Sequence, residues 1–403
     1  VDAELGGYRG NGEKSMDFAL TEEQQLIVKS TRTFVENELY PHEKEVEDTG
    51  LLRPELIAEL KRKAMEAGLY AANMPAEVGG GGLDTLTWVL YEKELGKANY
   101  ALHYNCVVRP SNILMACQGA QRERYLLPCV RGERVDCLAM SEPGAGSDLR
   151  GMKTTAVRSG ADFVINGTKH FISHADHADF VILIAATSVE ESADRGPRKR
   201  MTAFLVDKGH PGFEVLPGYR NVSNRGYNNC ILRFTDCRVG PEAVLGEVDK
   251  GFEVANTWLG ATRLQVAACC LGRAERALDL AKQWAVDRVQ FGQQIGKFQG
   301  ISFKLADMAL ELRAAELLVF EAAWKHDQGT AADADFAIAK LKATEMLAMV
   351  ADEALQIHGG MGLMADLPLE RIWRDARIDR IWDGTSEIQR HIISRSMLRP
   401  LGG

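Results

Sequence analysis

The chain has 403 residues, 46% of them apolar and 26% charged, which is ordinary globular usage and excludes collagen-like, disordered and disulfide-stapled classes. A net charge of −8 provides no global basic field for nucleic acid or anionic lipid. The longest clean apolar run, Phe180 to Ala186, falls far short of the roughly 20 residues that a spanning helix needs, so no membrane insertion is expected.

Residues 1–16 are polar and Gly-rich without an apolar stretch and read as a flexible leader. Residues 17–137 read as a helical domain. Thr21 to Gln24 has the capping-box pattern, Ile27, Phe34 and Val35 follow at helical spacing, and Leu56–Ala67 and Asp84–Leu95 continue the helices. The period then changes. In residues 138–245, short β-rich runs at 162–165, 169–172, 180–184, 202–206 and 230–234 predict a small antiparallel barrel or sandwich. Asn166-Gly167 reads as its tight hairpin turn, and the charged segment 190–199 as an exposed loop. Residues 246–403 return to helical period, with long segments 261–286, 301–328 and 331–357 forming a four-helix bundle. The fold class is therefore α+β, with a β domain between two helical ones and a cleft where they meet.

Eight cysteines without a Cys-x-x-Cys pair predict buried, reduced thiols and no metal site. The loop Ser141 to Asp148 has the glycines and hydroxyls to approach a phosphate or a flat heterocycle, and equally suits a plain turn. Arg288 sits where a cation complements a helix dipole. Gly359 and Gly360 follow a long helix as a C-cap does, and Asp383 before Gly384-Thr385-Ser386 can cap a helix or act as a base.

Taken in order, Pro75 to Gly80, Ser141 to Asp148, Asn166-Gly167-x-Lys169-x-Phe171-Ile172-Ser173, Arg288-x-x-Phe291-Gly292, Gln356-x-x-Gly359-Gly360 and Gly384 to Arg390 resemble the acyl-CoA dehydrogenase family. The resemblance runs from about residue 17 to 399. It implies non-covalent FAD, an acyl-CoA substrate, and removal of an α-proton and a β-hydride to give the 2,3-enoyl-CoA. Asp383 falls at the base, and Met140, Ser141, Phe171 and Ser173 fall around the isoalloxazine, with Ser173 near N5. Arg288, Phe291, Gln356 and Gly360 match residues that reach the FAD of a neighbouring subunit, which implies a homotetramer or homodimer. Thr385 and Glu387 fall beside the adenosine part, and Ser147 and Arg263 where CoA and substrate are met. An electron-transferring flavoprotein is the implied acceptor, in a bacterial cytoplasm or a mitochondrial matrix. A same-fold oxidase or monooxygenase, and a non-redox acyl-CoA-binding homologue, are the alternatives.

Two departures stand against that pattern, and one further residue invites a second reading. Most relatives carry Glu at Asp383, and the shorter side chain withdraws the carboxylate by roughly 1 Å. Some branches place the base on the long helix, at the position of Thr262, which cannot serve. Arg225-Gly226-Tyr227-Asn228-Asn229 stands where small hydroxyl residues are usual. Arg109, a cation within an apolar run, must be paired, either with a polar or anionic acyl tail or inside the protein.

Overall fold

The computed structural model describes residues 19–191 and 198–401. The first helix, α1 (Glu22–Phe34), opens on the expected capping box: Gln24 N–H donates to Thr21 Oγ1 at 3.2 Å, and the Thr21 N–H donates to Gln24 Oε1 at 3.1 Å. Next come α2 (Glu43–Thr49), α3 (Pro54–Glu66), α4 (Thr85–Leu95), α5 (Tyr100–Cys106) and the short α6 (Leu127–Val130). Asp84 caps α4 by accepting the Thr87 N–H at 2.7 Å.

The β domain contains β1 (Asp136–Ala139), β2 (Thr155–Ser159), β3 (Asp162–Ser173), β4 (Phe180–Glu190), β5 (Arg198–Asp207), β6 (Phe213–Leu216), β7 (Asn229–Val239) and β8 (Val244–Leu245). They form one sheet in the order β6-β7-β3-β2-β4-β5-β8, with β1 alongside β4. Most pairings are antiparallel, but β1 runs parallel to β4, and β2 meets β4 in parallel. Asn166-Gly167 is not a hairpin turn. β3 runs straight through it, and the pairing with β7 slips there as a bulge, tied by Asn166 Nδ2 to Asp236 Oδ1 at 3.1 Å. The hairpin lies earlier, at Gly160-Ala161, because Ser159 pairs with Asp162. The bulge and the turn both suit Asn-Gly, so local sequence did not separate them. The charged segment expected as a loop falls largely in 192–197, and the leader at 1–16; both lie outside the described residues.

The last block contains α7 (Gly251–Asp287), the two-residue strands β9 (Val289–Gln290) and β10 (Gln293–Gln294), α8 (Gln299–Asp327), α9 (Asp333–His358), α10 (Leu369–Asp379) and α11 (Ser386–Leu398). Helices α7, α8, α9 and α11 form the bundle, and α4 of the first block packs onto α7 and α8. The approach is close. A Cβ on Gly272 of α7 would lie 1.9 Å from the Lys93 carbonyl oxygen, and one on Gly96 2.4 Å from Cys269 Cα. One apolar core therefore spans both helical blocks, from Phe34, Leu60 and Trp88 to Leu271, Leu347 and Ile372, while the sheet has its own. All eight cysteines are buried and unpaired. Among the described residues no helix is long and apolar enough to cross a membrane.

Candidate active site

The β-domain wall is built by a buried ion pair. Lys169 on β3 is fully buried; its Nζ meets Glu142 Oε1 at 2.8 Å and donates to the Met140 carbonyl at 3.0 Å. Glu142 also accepts the N–H groups of Lys153 and Thr154, at 2.5 and 3.0 Å. Burial pushes the Lys169 ammonium down to about 8, against the pull of Glu142. This knot fixes the loop from Ser141 onward, whose own carbonyl accepts the His170 N–H at 3.0 Å, and leaves Ser147 exposed. Phe171 has a left-handed backbone, φ 55°, and stays 55% exposed between His170 and Tyr219. A strained aromatic held open to one side is fitted to stack on a flat partner. Together with half-buried Met140 and Ser141, and Ser173 two residues on, the wall suits the isoalloxazine of FAD.

Opposite stands the turn that carries Asp383. It is made by left-handed φ values at Asp383 (51°) and Gly384 (90°) and closed by Thr385, whose Oγ1 accepts the Ile388 N–H at 3.3 Å. Thr385, not Asp383, is therefore the cap of α11, with Glu387 exposed in its first turn. Lys340 of α9, fully buried, donates to the carbonyls of Trp382 (2.9 Å) and Gly384 (2.8 Å). Gln389 donates to the carbonyls of Asp383 (3.2 Å) and Gly384 (2.9 Å). Burial raises the pKa of the Asp383 carboxyl, while Lys340, a hydrogen bond from Thr262 and the nearby Arg263 pull it back. Arg263 is only 8% exposed, and its Nε has no partner. Lys340 lies outside every sequence motif, and Gln389 lies inside one without a role assigned to it. Lys340 had a signal, since it falls in register with Phe336, Ala343 and Leu347 on the buried face of α9.

Between wall and turn lies an aromatic cluster. Tyr100 stacks on Tyr104 (5.4 Å) and touches Trp382 (5.0 Å) and Tyr227 (4.9 Å); Tyr227 also meets Tyr104 (5.1 Å). Beneath it, Arg109 reaches inward rather than toward open space. Its Nε lies 2.8 Å from Glu92 Oε1, both side chains almost fully buried, and it donates to the His103 carbonyl at 2.7 Å. The structure thus places Arg109 in the internal pair.

The remaining predicted residues gather elsewhere. Phe291 and Gly292, both at positive φ (51° and 77°), form the loop between β9 and β10, and Phe291 is 94% exposed. Trp284 of α7 stacks on His358 of α9 at 4.9 Å, so exposed Arg288, Phe291, Gln356 and Gly360 share one end of the bundle. Gln356 is 16 residues along α9 from Lys340, about 24 Å at 1.5 Å per residue. One chain therefore presents these residues and Asp383 at well-separated places.

Comparison with known proteins covers the same three blocks. Residues 21–133, 137–237 and 249–398 match the family models for the N-terminal, middle and C-terminal domains of acyl-CoA dehydrogenase. The chain is 38% identical over 391 residues to the acryloyl-CoA reductase (NADH) of Anaerotignum propionicum, covering 96% of this chain and 97% of that protein. It is 36% identical over 385 residues to the human mitochondrial short-chain specific acyl-CoA dehydrogenase, covering 94% and 91%. The structure of butyryl-CoA dehydrogenase from Megasphaera elsdenii superposes with a TM-score of 0.85 at 35% identity, over 95% of this chain and all of that one. The chain belongs to the acyl-CoA dehydrogenase family of FAD-dependent oxidoreductases.

Proposed function

We propose that the protein removes the α-proton and β-hydride of a short acyl-CoA thioester, with Asp383 as the base. The observation that carries this reading is the Asp383 turn: a half-buried carboxylate on a turn anchored through its backbone carbonyls by Lys340 and Gln389, with Lys340 and Thr262 opposing the effect of burial on its pKa. A base must be deprotonated yet basic, and burial opposed by nearby cations gives that balance. The left-handed backbone at Asp383 sets where the short side chain projects. The neighbouring N–H groups of this turn supply donors for the thioester oxygen as charge develops on it. FAD, when bound, supplies the hydride acceptor at N5, and Met140, Ser141, Phe171 and Ser173 are the residues to hold that ring.

Tyr100, Tyr104, Tyr227 and Trp382 occupy the space beside Asp383, which supports a short acyl group. The relatives named for short-chain and butyryl substrates agree in size. Ser147 and Arg263 are assigned to CoA and substrate, and Thr385 and Glu387 to the adenosine part. The separation of Arg288, Phe291, Gln356 and Gly360 from Asp383 supports a homo-oligomer, tetramer or dimer, in which they meet a neighbour's FAD. An electron-transferring flavoprotein is the proposed acceptor, in a bacterial cytoplasm or a mitochondrial matrix. The same groups serve the reverse reduction, the direction in the name of the Anaerotignum relative.

The test is anaerobic titration of the purified holoenzyme with acyl-CoAs of graded length. Flavin bleaching is expected, strongest for short chains. Asp383→Asn is expected to slow it about 10²–10⁴-fold, the usual worth of a positioned base. Bleaching at an undiminished rate in that variant would remove Asp383 from the role.

A further inference from the structure

A cavity of about 250 Å³, half enclosed and lined mainly by apolar atoms, adjoins the aromatic cluster. Ile57 and Ala58 of α3, Val108 after α5 and Val135 before β1 form its apolar walls. Tyr104 and His174 form the side that it shares with the cluster beside Asp383. An apolar space of about 150 Å³ already holds a benzene-sized molecule, so this one has room for several carbons of an acyl tail. The shared side is fixed from several directions. The Tyr104 ring stacks on Tyr100 at 5.4 Å, meets Tyr227 edge-on at 5.1 Å and His174 at 5.1 Å, and lies 5.3 Å from the guanidinium carbon of Arg109. Arg109 is itself held by Glu92, so it cannot follow a moving ring. His174 is tied on both nitrogens, Nδ1 3.2 Å from the Tyr227 hydroxyl oxygen and Nε2 2.7 Å from the Asp136 carbonyl oxygen.

We propose that Tyr104 is a specificity-determining residue: its ring is the partition that holds the acyl site to short chains, and the cavity is the space a longer tail enters once that ring is gone. The proposal rests on the dehydrogenation reading above, in which the acyl group lies against the cluster beside Asp383. A ring wedged between Tyr100, Tyr227, His174 and Arg109 does not swing aside for a tail, so extra methylenes meet a wall although apolar room lies behind it. The same apolar face still accepts a chain that ends before it. The buried Arg109–Glu92 pair acquires a second consequence, because it backs the ring that limits chain length.

The test is the pair of dissociation constants for crotonyl-CoA and 2-octenoyl-CoA, short and longer enoyl thioesters that cannot reduce oxidised flavin, measured by calorimetry on holoenzyme. Tyr104→Ala is expected to shift their ratio toward 2-octenoyl-CoA by at least about tenfold, the lower end of what one methylene is worth in an apolar pocket. Ala58→Trp fills the cavity from an exposed position on α3. Alone it is expected to leave the ratio unchanged, and combined with Tyr104→Ala to cancel the shift. An unchanged ratio in Tyr104→Ala overturns the proposal, and so does a shift that survives Ala58→Trp, since the tail then lies elsewhere. Weaker 2-octenoyl-CoA binding in Ala58→Trp alone also overturns it, because the tail would already pass Tyr104. If Tyr104→Ala does not fold, Tyr104→Leu, which keeps an apolar side chain and vacates most of the ring, is held to the same outcomes. Wild-type flavin that no acyl-CoA bleaches overturns the dehydrogenation reading alone, because the length preference in binding needs no turnover.

Discussion

Replacing Lys340 by Met tests how the base is held. The ammonium donates to two carbonyls on either side of Asp383, but the loss is unequal. Gln389 still reaches the Gly384 carbonyl at 2.9 Å, so only the Trp382 carbonyl loses its donor. One unsatisfied carbonyl in a half-buried site costs about 1–3 kcal/mol, and urea denaturation should report a loss of about 2 kcal/mol. Catalysis should suffer more. A turn released from one of its anchors can shift by roughly 1 Å, a displacement worth up to ~10²-fold in rate. Lys340 is also the main group opposing the effect of burial on Asp383, so its removal raises the carboxyl pKa further. Because the base works deprotonated, the acid limb of the kcat/KM profile should move to higher pH. The assay is kcat/KM for a short acyl-CoA across pH, beside the denaturation curve. A variant with the loss of stability but an unmoved acid limb and native kcat/KM would refute the argument that Lys340 sets the base.

Two further predictions concern buried charge. Burial pushes the Asp136 carboxyl from 3.8 up to about 6, opposed by the Ser111 N–H. A folded pKa above the unfolded one favours the fold at low pH, and that contribution is lost as pH rises through about 6. Asp136→Asn should therefore stabilise the protein by up to about 3 kcal/mol at pH 8 and only about 1 kcal/mol at pH 4.5, read as the shift in urea midpoint; equal gains at both would contradict this. Arg109→Leu strands Glu92 in the core and should cost about 3–5 kcal/mol, partly recovered by Glu92→Gln. Activity on neutral and carboxylated acyl-CoAs should change equally, and a selective loss on the carboxylated ones would return Arg109 to the acyl tail.

What the sequence made legible was whatever repeats locally. Thr21 and Gln24 announce their helix, the spacing in 261–357 yields α7 to α9 to within a few residues except at the start of α7, and the ordered motifs point to Asp383. What escaped was made by distant meetings. Lys340 with the 382–384 turn, Arg109 with Glu92, and His174 with Tyr227 each join segments with no common period. Lys169 and Glu142 were both visible within motifs, yet nothing in either motif says that one buries the other. Asn166-Gly167 misled because a bulge and a turn ask for the same residues, and only pairing with β7 decides between them.

The close crossing of α4 and α7 has a consequence for synthesis. Cys269 Sγ meets the Glu92 carbonyl 177 residues away along the chain. At roughly 5–20 residues per second, the ribosome takes about 9–35 s to supply that partner. The β domain has its own core and can close in the interval, while Trp88, Val89 and Leu95 still lack the surface that finally covers them. The first helices to emerge are thus the last to be completed. During that delay the nascent chain is most open to holdase chaperones and to aggregation.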